Sequence, residues 1–214
     1  MEVDDPERAP GSVVDVMEEE ATEDVQRMFG AGAEERLTSP WIFSFRKRVP
    51  WLMVNLVTAF MAGAVVGVFE DTISRIAVLA VYMPIIAGMG GNASAQAMAV
   101  AVRGIALGEV DRALLGRVLY RQAMVGLLNG IVIGGITGLV AILFHQDRGV
   151  ALGVVVFAAL VINHSLAPVS GAALPFVMKK LGFDPAQSAT IFATTITDVV
   201  GFFALLGLAY VFLS

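Results

Sequence analysis

Asp198 is the residue whose surroundings point most directly to chemistry, because it lies within the apolar stretch TTITDVVGFFALLGLAYVFL. An ionised carboxylate at the centre of a bilayer costs at least about 2.5 kcal/mol to insert, so it should face water, an opposite charge or a bound ion. Thr190, Thr194 and Asp198 follow one another at intervals of four residues, which on a helix aligns them in one polar stripe. The stripe predicts a path for a cation or a proton. A protonated Asp198 with a purely structural role is the alternative.

A second candidate is the segment YMPIIAGMGGNASAQ, in which Pro84 is followed by Gly88, Gly90 and Gly91. Proline removes a backbone donor and clashes with the preceding turn, and each glycine costs about 1 kcal/mol relative to alanine in a helix. We therefore expect the helix to be broken at residues 88–91, called the glycine run below. Freed carbonyls at such a break commonly coordinate cations in transport proteins. A kink that serves only packing is the alternative.

Two further patterns indicate packing. Glycines 126, 130, 134 and 138 recur every four residues, which lets another helix backbone approach along one face. His164, next to Asn163, has no second ligand at a matching spacing, so we predict a packing histidine with one satisfied hydrogen bond and not a proton relay.

The elements that hold these residues must be membrane helices, because the composition does not suit a water-soluble fold. Of 214 residues, 57% are hydrophobic and 15% charged, and the mean hydropathy is +0.78. A membrane helix needs about 20 mostly apolar residues, and five stretches meet that requirement. We predict an all-α, polytopic membrane protein whose spans lie at about 49–68, 73–101, 118–144, 150–178 and 186–213.

Basic residues set the predicted orientation. Nine Lys and Arg residues fall on one side of the five spans and two on the other. The side rich in positive charge is expected in the cytoplasm, which also places the N-terminus there, in a protein of the plasma membrane. The first 40 residues hold twelve acids and three arginines, and we predict an acidic cytosolic segment over 1–40 and a pore domain over 41–214. Residues 12–30 read as an amphipathic helix stopped by Gly30 and Gly32.

Three segments resemble the membrane domain of the MgtE family of magnesium channels or transporters. They are PIIAGMGGNASAQ with the trailing VRGIALGEV, then GAALPFVMKKLGFDPA, and then TTITDVVGFFALLGLA. Their order and spacing match as well, so the resemblance covers about 41–214. The segment EEEATEDVQRM is similar to the helix that connects the regulatory CBS modules of the family to the membrane. Those modules have no counterpart in this sequence and are a possible missing partner.

The resemblance implies a homodimer of five-helix protomers whose second and fifth helices line a pore at the two-fold axis. It implies that Asp198 matches the pore aspartate that recognises hydrated Mg²⁺, with carbonyls near the glycine run and Thr194 contributing. The predicted metal residues are Asp198, Gly88, Gly91, Asn92, Thr190 and Thr194. Some relatives carry polar side chains where this chain has Ala95 and Ala99, so selectivity is expected to differ.

The predicted function is passage of Mg²⁺ into the cytoplasm, driven by the membrane potential. A proton-coupled exchanger of Mg²⁺, Co²⁺ or Mn²⁺ and a non-transporting assembly or sensing module are the alternatives. The acidic tail is either a solvated helix or a sensor that binds cytosolic Mg²⁺ through residues 18–24. With no cysteine and two histidines, the chain cannot form a thiolate site or a typical zinc catalytic site, and no enzymatic activity and no nucleic-acid partner is predicted.

Overall fold

The computed structural model of the chain describes residues 23, 26–27, 30–32, 34–108, 112–145, 148–183 and 185–213. Within them the protein is all-helical, without strands, and five of its helices are long and apolar enough to cross a membrane. The prediction of an all-α protein with five candidate spans is therefore confirmed. The helices are α1 (Trp41–Val68), α2 (Glu70–Arg75), α3 (Leu79–Ala106), α4 (Arg112–Phe144), α5 (Gly149–Lys180) and α6 (Pro185–Leu213).

The first two spans start at positions that differ from the predicted ones. Helix α1 begins at Trp41 and not at about 49, because basic side chains near a helix end can extend to the headgroups without ending the helix. The predicted start of the second span, residue 73, falls in the short helix α2. That helix ends where Ile76 leaves the helical conformation, with φ −131° and ψ 64°, and α3 starts at Leu79.

The predicted break in the second span is wrong. Helix α3 is continuous through Pro84 and the whole glycine run. Pro84 is the sixth residue of α3, so the donor that it lacks would have bonded to the carbonyl oxygen of Ala80, near the N-terminal end of the helix. In lipid, each backbone group that a break leaves unpaired would cost several kcal/mol. That cost exceeds the loss of helix stability that the glycines cause in a continuous helix.

Helix α5 lies at the centre of the bundle and packs against α3, α4 and α6. The apolar core at this junction contains side chains with no exposed surface, including Leu79 and Ile86 of α3, Leu160 of α5, and Leu205 and Leu206 of α6. Helix α1 is the least buried of the five spanning helices in the protomer. The bundle is therefore organised around α5, with α3 and α6 held against the same helix.

The glycines of α4 bring its backbone against α5, as predicted. A Cβ atom added to Gly126 would collide with the carbonyl oxygen of His164, and one added to Gly138 would lie 2.8 Å from the carbonyl oxygen of Gly153. Gly130 and Gly134 are equally close to the α5 backbone. The four glycines therefore form the close-packed surface between α4 and α5.

The described residues of the acidic tail include part of a helical turn and the segment that leads into α1. Gly30 has φ +75° and ends the preceding helical turn, with Gly30 N donating to Arg27 O and Ala31 N donating to Gln26 O, both at 3.0 Å. This confirms Gly30 as the stop signal. Most of the predicted amphipathic helix over 12–30, and most of the proposed sensor at 18–24, lie outside the described residues.

Two ion pairs fasten the described part of the tail to α1. Arg48 Nε donates to Glu35 Oε2 at 3.1 Å, its Nη2 pairs with Glu35 Oε1, and Lys47 Nζ lies 3.3 Å from Glu34 Oε2. The hydrogen bond from Arg48, followed by one from Ser44, holds the pKa of the Glu35 carboxyl below its ordinary value. The start of α1 and the end of the tail are thereby joined by charge.

Candidate cation pathway

Helices α3 and α6 run antiparallel beside each other, which brings the two candidate segments to the same depth. Gly201 of α6 faces Ile86 of α3, since a Cβ added to Gly201 would lie 2.8 Å from Ile86 Cγ2. Toward the other end, Thr190 Oγ1 donates to Met98 Sδ at 3.4 Å. Both helices rise about 1.5 Å per residue, so Asp198, three residues before Gly201, lies level with the glycine run.

Asp198 lies half-buried on a helix face rich in hydroxyl groups. Thr194 Oγ1 lies within donating distance of the carbonyl oxygens of Thr190 at 3.1 Å and Ile191 at 3.0 Å. Thr197 Oγ1 donates to the carbonyl oxygen of Thr194 at 2.8 Å. Because these hydroxyl protons are used within the helix, the hydroxyl oxygens keep lone pairs that can face a cation or its water shell.

The carboxylate of Asp198 has no hydrogen-bond or ion-pair partner in the part of the chain that the structure describes. Over the same residues, no three His, Cys, Asp or Glu side chains come together that could hold a metal ion. A cation at this depth of the protomer would meet one carboxylate together with neutral oxygens.

One face of α3 is left uncovered by the described residues of the chain. The amides of Asn92 and Gln96 are exposed on this face at membrane depth. An amide that faces lipid tails loses its hydrogen bonds, so this face requires water or a protein partner. A Cβ atom added to Gly88 or Gly91 would meet no atom within 4 Å, which leaves the backbone open there. The exposed residues are Val81, Pro84, Ile85, Gly88, Asn92, Ala95, Gln96, Ala99 and Val100.

The predicted site residues therefore fall on two neighbouring helices. On α6, Thr190, Thr194 and Asp198 are half-buried along one stripe. On α3, Gly88 and Asn92 are exposed and Gly91 is half-buried. The antiparallel register places Asp198 level with the glycine run and Thr194 near the level of Asn92, whereas Thr190 lies about 12 Å from the level of Asp198, beside Met98. The glycine run contributes an open helical surface, and not the broken backbone that the sequence predicts.

Asn163 is a polar residue of this region to which the sequence analysis assigns no role. It has no exposed surface, and its Nδ2 donates to the carbonyl oxygen of Ile86 at 2.9 Å. The signal available in the sequence is an amide within an apolar span. The glycines of two other helices that it faces can be identified only from the folded structure. The adjacent His164 is 2% exposed and lies with Nδ1 3.0 Å from the carbonyl oxygen of Leu160, as a packing histidine would.

Comparison with known proteins identifies similar membrane proteins. The family model described as MgtE, divalent cation transporter, matches residues 83–208, which include every predicted site residue. The chain is 31% identical over 201 residues to the magnesium transporter MgtE of Enterococcus faecalis, covering 94% of this chain and 44% of that protein. It is 30% identical over 204 residues to the protein of the same name from Thermus thermophilus, covering 94% and 45%. Identity to the Bacillus subtilis protein of that name is 27% over 201 residues, covering 94% and 44%. The chain thus spans less than half the length of these relatives.

Proposed function

This chain belongs to the MgtE family of divalent cation transporters, and from that premise we propose that its five spanning helices carry Mg²⁺ through a membrane. The observation that carries the proposal is the position of Asp198. It is a half-buried carboxylate without a partner among the described residues, level with the open backbone of the glycine run. Such a group is costly to retain in an apolar span unless an ion or water meets it.

The proposed transport unit is a homodimer with a pore at the two-fold axis. The uncovered face of α3 carries the exposed amides of Asn92 and Gln96, which a second copy could enclose around water. Helices α3 and α6 of both protomers would then line the pore. Two copies of Asp198 would face each other there, and a divalent cation between them would neutralise both carboxylates.

The proposed ligand is Mg²⁺ with its water shell. Mg²⁺ gives up water reluctantly and prefers oxygen ligands in octahedral geometry. In the continuous α3 helix the carbonyls near Gly88 and Gly91 already accept helical hydrogen bonds, so they would offer their second lone pairs to bound water. Asp198 would supply the charge, with Asn92, Thr190 and Thr194 adding neutral oxygens.

We propose inward transport, from the arrangement of the basic residues. Nine of the eleven Lys and Arg residues of the pore domain, residues 41–214, lie in the first part of α1, at the end of α3, at the start of α4 and at the end of α5. All four places are on the same side of the bundle, which favours a cytoplasmic side there and a cytoplasmic tail, residues 1–40. At a plasma membrane, the inward movement of two positive charges gains about 4.6 kcal/mol per 100 mV, from about 2.3 per charge. The CBS-type modules of the family remain a proposed partner of the tail.

The test is Mg²⁺ uptake into proteoliposomes under a membrane potential. Asp198→Asn should abolish saturable uptake, because it removes the charge while it preserves the shape of the side chain. Asp71→Asn, the same change at an exposed position of α2, is the matched control and should leave uptake intact. Normal uptake by the Asp198 variant would refute the proposal. Uptake that requires a proton gradient and persists without a potential would favour a proton-coupled exchanger instead.

A further inference from the structure

We propose that Asn163 is a positioning residue that fixes the spacing of α3 and α6 around the cation site. This inference rests on the proposed function, because it assigns Asn163 a part in transport. Asn163 lies on the central helix α5, with no exposed surface, and donates through Nδ2 to the carbonyl oxygen of Ile86 at 2.9 Å. Ile86 lies two residues before Gly88, so the bond attaches α5 to α3 directly beside the glycine run.

Two glycines from different helices make room for this amide. A Cβ atom added to Gly90 of α3 would collide with Asn163 Nδ2, and the three atoms nearest to it all belong to Asn163. A Cβ atom added to Gly201 of α6 would lie 2.9 Å from the same nitrogen. The side chain of Asn163 thus fills a gap that α3 and α6 leave open by having no side chains of their own.

The contact contributes a directional hydrogen bond and not the burial of apolar surface. Among the described residues, Asn163 Oδ1 has no hydrogen-bond partner, and an unpaired buried polar group lowers stability. A leucine, which has the same branching at Cγ and no polar atoms, would avoid that cost. A directional bond, in contrast, fixes the register between two helices, as single buried amides do in coiled coils.

The position of the contact connects it to the site. Asp198 precedes Gly201 by three residues, and Gly88 precedes Gly90 by two, so both glycines against Asn163 lie within one helical turn of a proposed site residue. A change in the Asn163 contact would move the carboxylate and the open backbone relative to each other. The expected consequence is weaker binding and poorer discrimination of the ion.

The test combines three variants of the full chain in proteoliposomes. Asn163→Leu keeps the branching of the side chain at Cγ and removes the hydrogen bond, with a larger side chain. It should raise the Mg²⁺ concentration for half-maximal uptake by about three- to tenfold, the fold-change equivalent to about 0.6 to 1.4 kcal/mol, and lower the preference for Mg²⁺ over Co²⁺. Ser165→Ala is the matched control on the same helix, because Ser165 Oγ bonds within α5, to Val161 O at 2.7 Å. It should change neither quantity.

A double-mutant cycle separates positioning from folding. Gly90→Ala should lower thermal stability in the wild-type background but not in Asn163→Ala, where the colliding side chain is gone. The double variant should therefore be as stable as Asn163→Ala. It should still require a raised Mg²⁺ concentration for half-maximal uptake. An equal loss of stability in both backgrounds would refute the described contact. If Asn163→Leu has the half-saturation and the ion selectivity of the wild type, Asn163 only fills space. That result would overturn the proposal.

Parallel measurement of Asp198→Asn distinguishes the two proposals. If that variant transports normally, the proposed function fails, whatever Asn163 does. If it is inactive while Asn163→Leu keeps wild-type half-saturation and selectivity, the proposed function stands and only the positioning role is lost.

Discussion

Gly126 and Gly135 of α4 provide a matched pair for a test of the α4–α5 interface. Both are glycines within one helix, so replacement by alanine makes the same chemical change at each position. A Cβ at Gly126 would collide with the carbonyl oxygen of His164 and lie 3.2 Å from Pro168 Cδ, whereas one at Gly135 would meet no atom within 4 Å. The obstacle at Gly126 is helix backbone, which cannot rotate away as a flexible side chain could.

The expected difference follows from two opposing effects. Alanine is favoured over glycine in a helix by about 0.8 to 1 kcal/mol, and this gain applies at both positions. Overpacking of a close contact costs about 1 to 3 kcal/mol, and this cost applies at Gly126 alone. Gly135→Ala should therefore be neutral or stabilising by up to about 1 kcal/mol. Gly126→Ala should be less stable than Gly135→Ala by about 1 to 3 kcal/mol.

The assay is reversible unfolding of the purified chain in mixed micelles as the mole fraction of denaturing detergent increases. The midpoint for Gly126→Ala should fall clearly below that of Gly135→Ala, and the slope of the transition should be unchanged. Equal midpoints would refute the close approach of α4 and α5 at Gly126. A midpoint for Gly135→Ala well below wild type would show that its face is covered.

Two further predictions concern the glycine run and the tail. Gly88→Ala should leave the unfolding midpoint unchanged or raise it, as at Gly135, because no atom lies near the added carbon. It should nevertheless reduce Mg²⁺ uptake by narrowing the proposed pore, and normal uptake would place Gly88 outside the pathway. The lowered pKa of Glu35 means that its contact with Arg48 stabilises the docked tail above about pH 4.3, the ordinary pKa of glutamate, and that this contribution is lost as the pH falls further. Gly30 packs against Trp51, so the fluorescence of Trp51 in a Trp41→Phe background should change as the contact is lost. Glu35→Gln should abolish that pH-dependent change. Its persistence in this variant would contradict the assignment of the change to the Glu35–Arg48 contact.

Local patterns in the sequence are sufficient to predict the spanning helices and a glycine face of α4 that packs against another helix. Hydropathy over about 20 residues depends only on neighbours in the chain, and the four-residue glycine repeat of α4 needs no knowledge of its partner. The predicted start of the first span is too late, because the three consecutive basic residues 46–48 mark a boundary in the hydropathy pattern although the helix continues through them. The contacts of Asn163 cannot be predicted for a different reason, since the residues that accommodate it lie on two other helices.

The predicted break at the glycine run is wrong because one continuous helix can present its glycines on two different faces. Each helical residue turns by about 100°, so Gly90 points away from Gly88, while Gly91 returns to within about 60° of it. The two faces have different surroundings, since Gly90 packs against Asn163 while Gly88 and Gly91 face open space. A run of glycines that suggests a broken helix can therefore serve two faces of an intact one. An intact α3 also holds both faces rigidly together, so that packing at Gly90 determines where the open backbone at Gly88 lies relative to Asp198. This geometric dependence is the reason why substitution of Asn163, on a third helix, should alter the binding of the ion.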